Sequence, residues 1–426
     1  MAQRGIREYD AKNILAKRIE RFSNGKLKYN GRVALVTPER SIEAVSTDKP
    51  WLKTSKLVVK PDQLFGKRGK HGLILMNATY DEAKNWIEEK RNSIVEVGKA
   101  RGKLTHFLIE PFIEHDKEYY LAFTGNQEGD YIHFSTEGGV DIEANWDKVT
   151  TINVPIDAKI EDVDLSPVLD GMGTDVRTAY NDLITALFLF YRELQFGFLE
   201  FNPFTHKDDE FFPLDTVARL DDTAHFLCSG EWGGIEFPVP FGRDLKHEEQ
   251  YIKKLDEKSG SSLKLTILNP RGRVWTMVAG GGASVIYADT VVDLGFGDEL
   301  ATYGEYSGNP TTDETCEYAK TLLDLMTREK VEGGKVFIIG GGIANFTDVA
   351  KTFDGIINAL DDYAEKIKEH GIKIYIRRGG PNYEAGLEKI RDAGQRLDLD
   401  MEVHGPDMHM TKVVAIALKN LNGGER

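Results

Sequence analysis

The apolar positions near the start of the chain follow helical spacing. Ile14, Leu15 and Ile19 fall on one face of a helix predicted over 6–19, with Lys12, Lys17 and Arg18 turned to water. Short apolar runs at 33–35 and 57–59 then predict strands, and the second ends on Lys60. The basic, glycine-bearing stretch Lys67-Arg68-Gly69-Lys70-His71-Gly72 precedes another apolar run, 73–76, which predicts a charged loop between two strands. A helix opened by Thr79 or Asp81 runs to Glu89. The middle is strand-rich, with β-like runs at 107–110, 118–123 and 131–134 separated by turn residues. A long amphipathic helix fits 175–194. Two strands follow, at 198–203 and 211–215, joined by a polar turn at 206–209.

The texture changes after the proline-rich, aperiodic stretch Glu236-Phe237-Pro238-Val239-Pro240-Phe241-Gly242, which reads as a linker. Beyond it strands at 265–268, 274–278, 335–339 and 373–376 alternate with helices at 313–326, 349–370, from Tyr383, and at 411–420. Alternation of this kind predicts a doubly wound α/β unit with ligands at the carboxyl ends of the strands. The boundary near 233–245 gives two regions, 1–240 and 241–426.

Composition narrows the function classes. The chain has 426 residues and a formal net charge of -15, so it lacks the basic field that nucleic acid demands. Anionic small ligands stay open, because a local basic pocket and free backbone N–H groups suffice to hold them. Two cysteines, Cys228 and Cys316, form neither a metal-ligand spacing nor a disulfide framework. No signal-peptide pattern opens the sequence, and no apolar run approaches the roughly 18 residues a membrane helix needs. The expectation is a cytoplasmic protein.

Candidate chemistry sits in two places. In the first half, a strand-end lysine and a basic glycine-bearing loop suit phosphate groups. Glu200 and Asn202, two apart on one strand, share a face, and Asp215 lies on the neighbouring candidate strand. Asn202 and Asp215 offer the hard oxygen ligands Mg²⁺ prefers. A P-loop is absent. In the second half, glycine clusters at 280–282, 340–342 and 379–380 each follow an apolar strand and precede a helix, so all three converge on one crevice. Helix N-termini there favour anionic carboxylates, Asn345 and Thr347 add hydrogen bonds, and the Arg378 guanidinium can grip a carboxylate with two parallel bonds. Arg377 reads as a surface charge. His409 reads as structural.

The segments VVKPDQL (58–64), KRGKHG (67–72), LIEPFI (108–113), FLEFNPF (198–204) and FPLDTVARLDD (212–222) resemble the ATP-grasp part of ATP-citrate lyase, a family related to the β subunit of succinyl-CoA synthetase. GEYSGNP (304–310), GGGIANFTDVAKTF (340–353) and RRGGPNY (377–383) resemble that family's citrate-binding domain. The resemblance implies an ATP-grasp fold followed by a doubly wound, flavodoxin-like CoA-ligase and citrate-binding domain. It implies that Lys60 and Arg68 contact nucleotide phosphates and that Gly69 lies against the nucleotide. Glu110 would bind around the adenine amino group, through side chain or backbone. Pro111 and Ile113 would line the base pocket, and Glu118 would take the ribose hydroxyls. Asn202 and Asp215 would ligate Mg²⁺. Gly308, Ala344, Asn345, Phe346, Thr347 and Arg378 would surround citrate.

The family's phosphorylated histidine and its citryl-CoA-cleaving domain have no counterpart in this sequence. The implied enzyme is therefore split. This chain would bind ATP and citrate, and a partner subunit with succinyl-CoA synthetase α-like and citrate synthase-like domains would hold most of coenzyme A. Alternatives are a citryl-CoA synthetase subunit that stops at citryl-CoA, and a succinate–CoA ligase β subunit. The Asn345, Thr347 and Arg378 set, suited to a larger polyanion, argues against the second of these.

Overall fold

A computed structural model describes residues 3–421 other than 99, 140, 141, 171, 208 and 209. The chain divides into two compact units, 1–244 and 245–426.

The first unit is built on two main antiparallel sheets and a two-stranded ribbon, Ile94–Val97 with Ala100–Lys103. The larger pairs Gln3–Ile6, Thr216–Asp221, Phe196–Lys207, Tyr119–Gly125, Gly129–Ser135 and Thr150–Pro155 in that order, with Glu210–Pro213 added beside Phe196–Lys207. Helices Glu8–Phe22 and Thr174–Glu193 cover one face. Ile14, Leu15, Ile19, Leu183, Ile184 and Leu187 meet Leu121, Phe123, Leu199 and Phe201 there in one buried core. The smaller sheet pairs Ala34–Val36, Phe107–Pro111, Leu57–Pro61 and Leu75–Ala78, and helix Tyr80–Lys90 packs on it. That helix begins where the sequence indicates. The Thr79 hydroxyl accepts from the Glu82 N–H, and the Glu82 carboxylate accepts from the Thr79 N–H at 2.7 Å, satisfying two otherwise unpaired donors. The polar turn expected at 206–209 falls partly on residues 208 and 209, outside those described.

Two expectations change here. Lys12 does not face water. It is fully buried, on the same stripe of the first helix as Ala11, Leu15 and Ile19, because the buried Glu8 and the half-buried Glu110 carboxylates meet its ammonium. Asp215 is not on a strand. It occupies the bend between Glu210–Pro213 and Thr216–Asp221, where its backbone carbonyl still accepts from Asn202 N–H at 3.0 Å.

In the second unit the parallel sheet runs Val274–Ala279, Lys335–Gly341, Ile372–Arg377, Met401–His404. The first three of these strands read as near-continuous apolar runs because both faces are covered. Trp275, Met277, Phe337, Ile339, Ile374 and Ile376 pack toward helices Thr312–Met326, Val349–Glu369 and Tyr383–Leu397. Val274, Val278, Val336, Ile338 and Tyr375 pack toward Gly281–Asp293 and Lys412–Leu421. The strand Thr302–Ser307, antiparallel to Ser262–Ile267, begins beside Val274–Ala279, on the side away from Lys335–Gly341. Leu300 bridges Val274 in parallel, and Ala301 N–H donates to the Val274 carbonyl at 2.8 Å. Val274–Ala279 thus has chain neighbours on both sides, the arrangement in which doubly wound folds take ligands at the carboxyl ends of their strands. Helices His225–Trp232 and His247–Asp256, and strands Thr302–Ser307 and Met401–His404, were not legible in the periodicity.

Candidate functional sites

The first unit encloses a cavity of about 590 Å³, a volume usual for a cofactor-sized ligand. Lys60, Arg68, Gly69, Glu110, Pro111, Ile113, Glu118, Asn202 and Asp215 all line it. Its floor is ionic. Lys60 is 2% exposed, and its ammonium donates to Glu8 Oε1 at 2.7 Å and the Leu214 carbonyl at 2.6 Å, with Glu110 Oε2 at 3.2 Å. Arg68 donates to Glu8 Oε2 at 2.7 Å, to the Pro61 carbonyl at 3.0 Å and to Asp215. Its Nε is buried without a protein partner. Burial works against the charge of Arg68, but Asp215 and Glu8 outweigh it and hold the guanidinium above its ordinary range.

The Glu110 side chain is committed to Lys12 at 2.6 Å and to Lys60, which leaves its backbone rather than its carboxylate for a purine. Glu118 accepts from His115 Nε2 at 3.1 Å, while His115 Nδ1 lies 2.7 Å from the Ile113 carbonyl. Burial opposes a charge on His115, yet the Glu118 and Ile113 hydrogen bonds raise its pKa. Asn202 Oδ1 accepts from Gly139 N–H at 2.8 Å. Phe65, Ile74, Met76, Phe112 and Ile142 add apolar wall.

Sequence reasoning missed Glu8 as part of this site and misplaced Lys12. The available signal was a Glu–Lys pair four residues apart inside the apolar stripe 11, 15, 19, 22, where a solvated charge has no reason to sit.

The second unit gathers the other set. Gly308, with φ 73°, ends the strand Thr302–Ser307. Its left-handed backbone lies close against Ser261 and Ser262. The segment 343–348 follows the triple glycine and is tied down by Ala344 N–H to the Gly379 carbonyl at 2.9 Å. Asp348 caps helix Val349–Glu369 by accepting from Lys351 N–H at 3.1 Å, and it takes Asn382 Nδ2 at 3.0 Å. Thr347 is buried, whereas Asn345 is exposed. Phe346 is 67% exposed, so it is no core aromatic.

Arg378 is 1% exposed. Its Nη1 donates to the Gly342 carbonyl at 3.3 Å, while Nε and Nη2 are buried without protein partners. The buried Tyr306 hydroxyl faces this guanidinium without reaching ideal hydrogen-bond geometry. Burial pushes the Tyr306 phenol up, and the Arg378 charge and its contact with the hydroxyl pull it partly back. Unpaired donors of this kind are costly, and a carboxylate relieves that cost.

The expectation for Arg377 fails. It is 4% exposed, and donates to the carbonyls of Met408 at 2.9 Å, Gly341 at 3.0 Å and Pro406 at 3.0 Å. As the last residue of a buried parallel strand it ties the end of strand Lys335–Gly341 to the loop that follows Met401–His404. His409 is exposed and pairs with the Thr411 hydroxyl at 2.9 Å.

Comparison with known proteins covers both units. The ATP-citrate synthase ATP-grasp domain family matches residues 2–232, and the ATP citrate lyase citrate-binding family matches 243–420. ATP-citrate synthase alpha chain protein 2 of Oryza sativa subsp. japonica is 46% identical over 419 residues, covering 98% of this chain and 99% of the relative. ATP-citrate synthase of Homo sapiens is 46% identical over 421 residues, but the match spans only 38% of that longer protein. Among solved structures, ATP citrate lyase from Methanothrix soehngenii, in complex with citrate and coenzyme A, superposes with a TM-score of 0.91 at 53% identity, covering 98% of this chain and 100% of that one. With end-to-end matches at such identity, and with both family descriptions falling in order along the chain, this protein belongs to the ATP-citrate lyase family as its ATP-grasp and citrate-binding subunit.

Proposed function

We propose that the chain binds ATP with residues 1–240 and citrate with residues 241–426, and that a partner subunit completes the conversion of citrate, ATP and coenzyme A to acetyl-CoA, oxaloacetate, ADP and phosphate. The observation that carries this reading is the cavity of the first unit, whose wall combines Lys60, Arg68, Glu118, Asn202 and Asp215 with an apolar lining. Lys60 and Arg68 would stabilise phosphate charge in a water-poor setting, where fixed charges act most strongly. Pro111 and Ile113 would face the base, with Gly69 against the nucleotide and Glu118 on the ribose hydroxyls.

Mg²⁺ would supply charge neutralisation at the transferred phosphoryl group. Asn202 and Asp215 fit it as one amide and one carboxylate oxygen. Among the described residues no group of three or more His, Cys, Asp or Glu could hold a metal, so nucleotide and water oxygens would complete the shell.

In the second unit Arg378 would take a carboxylate on its two unpartnered donors, with Thr347 and Asn345 adding hydrogen bonds. Gly308, Ala344 and Phe346 would shape the remaining wall. Arg378 orients the acceptor and need not move a proton. Most of coenzyme A, the phosphorylated histidine and citryl-CoA cleavage would belong to the partner, with its succinyl-CoA synthetase α-like and citrate synthase-like domains. Among the described residues no helix is long and apolar enough to cross a membrane.

The test is to purify the chain with its partner and follow ADP, acetyl-CoA and oxaloacetate together. Citrate-dependent formation of all three is expected. Turnover with succinate but not citrate would overturn the reading, and arrest at citryl-CoA would replace it by the synthetase alternative.

A further inference from the structure

Glu8 is the most heavily engaged carboxylate of the nucleotide unit, yet it does not line the cavity. It sits in the first turn of helix Glu8–Phe22 and is 4% exposed. Its Oε1 receives Lys12 Nζ at 2.6 Å, Lys60 Nζ at 2.7 Å and the Thr216 N–H at 3.2 Å. Its Oε2 receives Arg68 Nη2 at 2.7 Å. One side chain thus ties together the strand Leu57–Pro61, the basic loop, and the start of strand Thr216–Asp221, next to Asp215.

The helix that carries Glu8 is itself pinned. Asp62, two residues beyond Lys60, accepts from Glu8 N–H at 2.9 Å and Tyr9 N–H at 3.1 Å. Glu8 is therefore held at a set distance from Lys60 by backbone as well as side chain. Burial works against its ionisation, but Lys12, Lys60 and Arg68 together hold its carboxyl well below the usual carboxylate range.

We infer that Glu8 is a positioning residue: from beneath the cavity wall it fixes where the Lys60 ammonium and the Arg68 guanidinium meet the transferred phosphate, while Lys12 balances its charge. This rests on the nucleotide reading of the cavity. A buried ion pair kept only for stability need not join the two cations that face the ligand. Here both cations share one carboxylate, so their separation and aim depend on it. Phosphoryl transfer depends on such alignment more steeply than ground-state binding does.

The two steps should therefore separate. Glu8→Gln keeps the shape, removes the anchor, and leaves the site more positive. In the complete complex, with citrate and coenzyme A saturating, kcat for ADP formation is expected to fall at least about tenfold. The Kd for Mg-ATP, by calorimetry on the same sample, should rise no more than about threefold. Glu8→Asp keeps the charge on a shorter stem, and kcat should recover in part. If Glu8→Gln does not fold, Glu8→Asp alone must still show reduced kcat with unchanged Mg-ATP affinity. A folded Glu8→Gln complex with wild-type kcat would overturn the inference. So would losses of Mg-ATP and citrate binding in equal proportion, which mark general unfolding. A wild-type complex that forms no ADP from citrate, coenzyme A and ATP would instead overturn the functional reading.

Discussion

Replacing Arg378 with Met separates the cost of a buried cation from its use. The side chain is 1% exposed, keeps one protein hydrogen bond to Gly342, and buries Nε and Nη2 without partners. Each unsatisfied buried donor costs about 1–3 kcal/mol. Methionine matches the length of the apolar stem and removes the charge. Exchanging even a buried ion pair for apolar groups is often neutral or stabilising by about 1–4 kcal/mol, and a buried cation with no carboxylate beside it has less to lose. Loss of the Gly342 contact offsets part of that gain. The melting temperature of the Arg378→Met chain should thus hold or rise, at about 2–4 °C per kcal/mol for a unit of this size. Citrate binding should move the other way. Removing one partner of a buried, charge-assisted contact costs about 2–5 kcal/mol, or roughly 30-fold to several thousand-fold in Kd. Thermal melting with and without citrate, together with calorimetric titration at fixed ionic strength, reads both effects. Citrate affinity within threefold of wild type in the folded variant would refute the clamp. A melting temperature lowered by ten degrees or more would refute the claim that this guanidinium is uncompensated in the fold.

Three further outcomes are expected. Asp215→Ala should weaken Mg-ATP binding or slow ADP formation while leaving citrate titration of the isolated chain unchanged, and equal losses at both sites would contradict the separation of roles. Wild-type chain should bind citrate well ahead of succinate, since succinate lacks a third carboxylate and a hydroxyl and leaves buried donors unpaired; comparable affinities by calorimetry would reject citrate as the cognate ligand. Asp10 is pushed up to about 7 by burial and by Asp62. The folded chain therefore holds a proton that the unfolded chain releases near the ordinary carboxylate range, and stability falls as pH rises from about 4 to 7. Asp10→Asn should accordingly raise the melting temperature more at pH 8 than at pH 4, and an equal change at both would exclude this proton.

Periodicity carried the elements far. The first helix, the buried parallel strands and the capped helix at Tyr80–Lys90 were each legible, because local spacing and a local cap decide them. The three glycine clusters were legible as the ends of neighbouring strands, since a doubly wound sheet brings successive strand ends to one edge. Short strands such as Met401–His404 and the strand Thr302–Ser307 were not, because their pairing comes from neighbours distant in sequence.

What the tertiary structure alone decided is the state of the charges. Lys12 and Arg377 look in sequence like surface cations, yet Lys12 meets Glu8 and Glu110, and Arg377 meets three carbonyls. Phe346 has the chemistry of a core residue and stands in solvent. A charge can be buried only where acceptors from other parts of the chain converge on it, and that convergence has no local spacing to betray it. Residue type and rhythm thus determined the two folds and the neighbourhood of each candidate site. Which cations line a ligand wall, and which carboxylate holds them there, depended on strands and helices separated by as many as 208 residues meeting at Glu8.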